Sequence, residues 1–125
     1  MDAVKKSVGK EERGNIVRSL LAQVRAAYAN QEWGKVRTLY ATLSDTKPSR
    51  GVLVEAGYLA VSAAVAGNDK RGARKTLGPL LENEYPKAVH YEFLARACLD
   101  LKQYANALQA IARAEALQKE EAEAR

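Results

Sequence analysis

Apolar residues fall three and four apart along most of this chain, the spacing that gathers them on one face of an α-helix. From Asn15, a candidate N-cap, the positions Ile16, Leu20, Leu21, Val24, Ala27 and Tyr28 follow that rule, and Asn30 to Glu32 closes the segment. A second helix is predicted from about Trp33 to Ser44, with Val36, Leu39, Tyr40 and Leu43 on one stripe. Asp45 and Pro48 mark the loop that follows. The stretch from Val52 to Ala66 is apolar almost all round, which predicts the central and most buried helix. Gly67-Asn68 ends it, with the glycine expected to supply the left-handed cap. A fourth helix is expected from about Asp69, but Gly78-Pro79 falls inside it. A proline there predicts a kink or an end, with Leu80 and Leu81 in a separate turn. Helices from about Lys87 to Leu101 and from Tyr104 to about Lys119 complete the series. Residues 1–14 are charged, contain Gly9 and Gly14 and hold no period, so a flexible leader or a short extra turn is expected there.

The helical pattern is itself periodic. Trp33, Asp69 and Tyr104 occupy equivalent places after three short turns, 36 and then 35 residues apart. A period of that size marks stacked helical hairpins, none of which buries its apolar face alone. Loops of a few residues make consecutive helices antiparallel neighbours. The expected fold is therefore all-α, about six helices in one domain over residues 15–125, with units at about 15–50, 51–86 and 87–119.

Composition narrows the functional classes. A chain of 125 residues can bury roughly two thirds of its unfolded surface. Arg, Lys or Glu interrupts every apolar run before the ~18 residues of a membrane span, and residues 1–15 lack a signal-peptide core. The lone Cys98 makes no internal disulfide, which fits a reducing, cytoplasmic setting. The formal net charge of +5 is uneven: +4 over residues 1–37, +2 over 38–87 and −1 over 88–125. That balance attracts acidic partners weakly but lacks the basic face with interleaved aromatics of a dedicated nucleic-acid domain.

The third unit carries Tyr91, Leu94 and Ala95 on its first helix and Ala107, Ile111 and Ala114 on its second, with Cys98 at an aromatic position. This pattern resembles the tetratricopeptide repeat (TPR) family. The first unit keeps Leu20, Tyr40 and Pro48, but has Gln23, Val24 and Val36 where the motif asks for leucine and small residues. The second keeps Leu59, Ala60 and Gly72, with Thr76 at the bulky site. The resemblance covers residues 15 to 119. It implies a right-handed superhelix whose first helices line a concave groove for a partner helix or extended peptide. Carried over by register, that groove would show Arg18, Leu21, Arg25 and Tyr28, then Val54, Tyr58, Val61 and Val65, then Glu92, Arg96 and Leu99. Leu21 and Val61 stand where a carboxylate clamp would need polar residues. The implied occupant is an amphipathic helix or apolar segment with some acidic character.

Other chemistry is weakly signalled. The stretch from Gly67 to Thr76 echoes a phosphate loop, but Ala73-Arg74 breaks its Gly-Lys-Thr core and no strand precedes it. Lys70, Arg71, Arg74 and Lys75 make a basic helix face, read as solvated or as an alternative contact surface. The single His90 and single Cys98 supply no metal set, and no cofactor is expected. Glu82 with Glu84, and Glu120 with Glu121 and Glu123, lie in polar or terminal stretches that would not tune a carboxylate for acid–base work. The expected function is a non-enzymatic protein–protein interaction module, an adaptor or small chaperone. A self-assembling scaffold whose helical ends stack is the alternative, followed by an RNA-binding helical repeat.

Overall fold

Helix boundaries follow local backbone chemistry in the computed structural model, which describes residues 9–124. Residues 1–8 of the expected leader and Arg125 lie outside the described residues. Six helices are present among them and no strand: α1 (Lys10–Ala29), α2 (Trp33–Asp45), α3 (Arg50–Ala66), α4 (Lys70–Leu81), α5 (Ala88–Asp100) and α6 (Tyr104–Glu123). Ser49 caps α3 by accepting from the Val52 amide at 3.4 Å, and Asp69 caps α4 by accepting from the Gly72 amide at 2.9 Å. Glu11 and Glu12 sit in the first turn of α1, where the helix dipole favours acidic groups. Helix α1 thus starts at Lys10, ahead of the predicted cap Asn15. Residues 10–13 are exposed, so they carry no apolar period for a sequence pattern to detect.

One turn geometry is used three times. Gln31, Asn68 and Lys102 all have left-handed backbone, with φ of 59°, 62° and 58°. In each case the following amide reaches back to the carbonyl of the helix's last turn: Glu32 to Ala27 at 2.9 Å, Asp69 to Ala64 at 2.8 Å and Gln103 to Cys98 at 2.9 Å. This is the Schellman cap, which satisfies carbonyls that the helix end leaves open. The left-handed residue after α3 is Asn68, whereas Gly67, expected in that role, has φ of −86°. The three turns also correct the repeat register by one residue. Lys70, rather than Asp69, is equivalent to Trp33 and Tyr104 as the first residue of its helix. Lys47 takes the same conformation after α2, but Pro48 has no amide to complete the motif.

Pro79 lies inside α4, which continues to Leu81 instead of breaking. Leu77 and Leu80, three residues apart on one face, are buried and anchor this last turn in the core. The Tyr85 hydroxyl donates to the Leu80 carbonyl at 2.6 Å, satisfying a group the helix end exposes. Tertiary contacts therefore offset the loss of one backbone bond, which costs an isolated helix about 3 kcal/mol.

The helices pack as hairpins: α1 with α2, α3 with α4, and α5 with α6. The first helices also touch in series, α1 with α3 and α3 with α5, while α2 and α4 each contact the first helix of the next hairpin. Helix α3 sits at the centre, as its all-round apolarity predicts. Its Ala56 and Ala63 join Val24, Val36 and Leu43 in one core, and its Val54, Val61 and Ala64 join Leu77, Leu94 and Ala107 in another. Glu121 of α6 accepts from the Ala88 amide at 2.9 Å and so caps α5 from the neighbouring helix. No helix among the described residues is long and apolar enough to cross a membrane.

This packing separates two leucines that a hydrophobicity scale treats alike. Leu77→Ala, in the core, is expected to cost about 2–5 kcal/mol in urea denaturation. Leu108→Ala, on the outer face of α6, is expected to change stability by less than about 0.5 kcal/mol. Similar costs at both positions would contradict the arrangement.

Candidate functional site

Helix α3 carries one charged residue between Gly51 and Ala66, Glu55, and an apolar helix needs a partner for it. Arg25 of α1 supplies that partner through two hydrogen bonds, Nε to Oε2 at 2.6 Å and Nη2 to Oε1 at 2.7 Å. The bond to Glu55 holds the Arg25 guanidinium above its ordinary pKa, outweighing the opposing effect of burial. Because Arg25 remains largely exposed, a pair of this kind contributes about 0–1 kcal/mol. Its consequence is geometric: it ties α1 to α3 beside an open cleft of about 960 Å³.

Leu21, Val52, Val89 and Phe93 give this cleft apolar walls, and Arg50 and Lys87 stand at its rim. Arg50 Nη1 donates to the Glu84 carbonyl at 3.3 Å, which leaves its remaining donors for a ligand. His90 fills one end, its ring edge-on to Tyr85 at 6.2 Å. The ring has room only because residue 51 is glycine; a Cβ there would lie 2.4 Å from His90 Nε2. Burial, and then the charge of Lys87, lower the His90 pKa, so the ring is neutral near pH 7.

A second group lies further along the same helices. The Tyr28 hydroxyl and Ser62 Oγ share a hydrogen bond at 2.9 Å, linking α1 to α3. Tyr58 stacks on Phe93 with ring centroids 6.0 Å apart, linking α3 to α5. Near them, Asp100 has a buried Oδ2 without a hydrogen-bond partner. Burial drives its carboxyl above the usual range, and the neighbouring Ser62 hydroxyl offsets only part of that. Burial likewise raises the Tyr58 phenol.

The residues expected to line a groove are therefore divided. Leu21 and Arg25 reach the cleft, with Leu21 a buried part of its wall, and Tyr28 and Tyr58 form the second group. Arg18 is exposed and bonded to Asn15 of its own helix. Glu92, Arg96 and Leu99 are exposed along α5, and Val65 is half-buried against the core. Val54 and Val61 correct the expectation: both are fully buried, because α3 packs on two sides and has no apolar face left for solvent. Glu55, Val52, Val89, His90 and Phe93 were not singled out for the site from the sequence. The lone charge of Glu55 within an apolar helix was the signal that could have found the cleft.

Remaining candidates have structural roles. Cys98 is buried, and burial pushes its thiol up to about 11, so it is protonated and inert at neutral pH. Lys70, Arg71, Arg74 and Lys75 are exposed on α4. Among the described residues, no three His, Cys, Asp or Glu side chains gather as metal ligands would. No known protein family, characterised protein or solved structure matches this chain.

The raised Asp100 carboxyl has a testable sign. An acid whose pKa is higher folded than unfolded destabilises the protein above that range and stops doing so once protonated in both states. Asp100→Asn is expected to raise the melting temperature at about pH 7, with the gain shrinking towards about pH 3, below the carboxylate range. An equal gain at both values, by scanning calorimetry, would assign the effect to something other than the buried charge.

Proposed function

We propose that this chain is a non-enzymatic protein-binding module of the tetratricopeptide type, an adaptor or small chaperone. In this reading α1, α3 and α5 form the concave side of a right-handed superhelix. The serial contacts of the first helices support it, as do the three matching Schellman turns. So do the small residues Ala95 and Ala107 in the core between the last two helices, where they admit close backbone approach. The cleft carries the functional reading. Its apolar walls at Leu21, Val52, Val89 and Phe93 favour burial of aliphatic or aromatic side chains, at roughly 25 cal/mol per Å² of apolar area.

Arg50 and Lys87 at the rim favour an acidic residue beside that apolar anchor. Arg25, already held by Glu55, shapes the wall more than it offers charge. The occupant proposed is thus an apolar segment flanked by Asp or Glu, helical or extended.

Selection from a displayed peptide library tests the chemistry directly. Enriched sequences are expected to pair two apolar residues with an acidic one, and the double variant Arg50→Glu, Lys87→Glu is expected to weaken them by roughly tenfold or more. Val89→Asp, at an exposed wall position, should abolish binding while leaving the circular-dichroism melt unchanged. Basic or purely polar selected sequences, or affinities indifferent to all three changes, would overturn the assignment.

A further inference from the structure

The three hairpins can be placed in register by their shared turns, and the last one then shows a surface that the first two keep covered. Counting from the first residue of each second helix, Tyr40, Leu77 and Ile111 are equivalent. Tyr40 is half-buried against α3, where a Cβ on Gly57 would lie 3.3 Å from its hydroxyl, and Leu77 is 1% exposed. Ile111 is 38% exposed. Counting back from the helix caps, Tyr28, Val65 and Leu99 are equivalent. Tyr28 bonds to Ser62 of the next hairpin and Val65 packs in the second core, but Leu99 is 46% exposed. Leu108, 66% exposed, extends the patch from a position whose equivalents Arg37 and Arg74 are exposed too, Arg37 reaching across to Asp69 at 2.7 Å.

The opposite end of the molecule carries the other half of this contact. Counting back from the same caps, Ile16 of α1 is equivalent to Leu53 of α3. Leu53 is half-buried and lines one groove with Tyr40, whereas Ile16 is 50% exposed. Charge matches as well. Helix α1 holds four basic and two acidic residues, and α6 holds two basic and four acidic. If the two met as α2 meets α3, the acidic end of α6, with Glu120 and Glu123, would lie near Lys10 and Arg13, which flank Glu11 and Glu12 at the start of α1.

We propose that copies of this chain stack head to tail. The exposed face formed by Leu99, Leu108 and Ile111 receives the outer face of α1, centred on Ile16, of a second copy. The contact repeats the one between successive hairpins, with a neighbour supplied in trans. It is heterologous, so each copy retains one free end of each kind, and assembly runs past the dimer unless rotation closes a ring. The attraction between α1 and α6 is between exposed charges and is therefore screened by salt. This proposal is independent of the cleft, whose walls lie elsewhere.

Sedimentation velocity on the full chain across a concentration series tests it. Weight-average mass is expected to rise from one chain of 13.7 kDa through dimer to larger species, less steeply at high salt. Leu108→Asp and Ile16→Asp each remove one half of the contact, and each is expected to weaken self-association by roughly tenfold or more. Both positions are exposed, so unchanged melting curves check that folding is intact. The decisive sample is an equal mixture of the two variants. Each keeps the end that the other lacks, so the mixture is expected to form a one-to-one dimer and stop there. Val89→Asp is expected to assemble like the wild type, which separates this proposal from the cleft reading. A monomer at every concentration, a dimer indifferent to Ile16→Asp, or a mixture that fails to pair would each overturn head-to-tail stacking.

Discussion

Helix α3 must bury apolar surface on opposite sides at once, and the positions of the other helices answer that demand. Ala56 and Ala63 face the core built with α1 and α2, while Val54, Val61 and Ala64 face the core built with α4 and α5. A single hairpin leaves one of those sides wet, at roughly 25 cal/mol per Å² of apolar surface. The two cores are thus joined through one helix, and small residues on both its faces let neighbours approach closely. Gly57 shows how tight the approach is, since a Cβ there would lie 2.5 Å from Leu80 Cδ1.

The cleft is a consequence of the same packing. Glu55 interrupts an otherwise apolar helix, and Arg25 reaches it from α1 through two hydrogen bonds. That bridge, Gly51 beneath the His90 ring and the stretch of chain from Glu84 to Lys87 all border the cleft. The walls and cationic rim come from α1, the start of α3 and the start of α5, and become one surface only after those elements pack. Ile16 on α1 and Leu108 and Ile111 on α6 remain exposed.

Much of the architecture was legible in the amino-acid order. All six helices were expected from the sequence, most of them from three-and-four spacing, and the burial of α3 was readable from its lack of a polar face. The failures have physical causes. The start of α1 was missed because its first turns bury nothing and so carry no pattern. Pro79 was expected to break α4, since the support from Leu77, Leu80 and Tyr85 comes from residues that local propensity does not weigh together. Asn68 takes the left-handed turn in place of Gly67 because the hydrogen bonds of the Schellman cap, to Val65 and Ala64, fix which residue must have positive φ.

Sequence alone determined the helical class and the central place of Val52 to Ala66, because these depend on the pattern within single helices. Tertiary structure alone decided that Val54 and Val61 are core and not groove, since a helix apolar on every side gives no internal sign of which face meets solvent. It also decided that Arg25 meets Glu55, thirty residues away in sequence, and that Val52, Val89 and Phe93 share one cleft. Such pairings depend on which helix packs beside which, and at what height along its axis. That choice is made by burial across the whole assembly, beyond the reach of any local pattern.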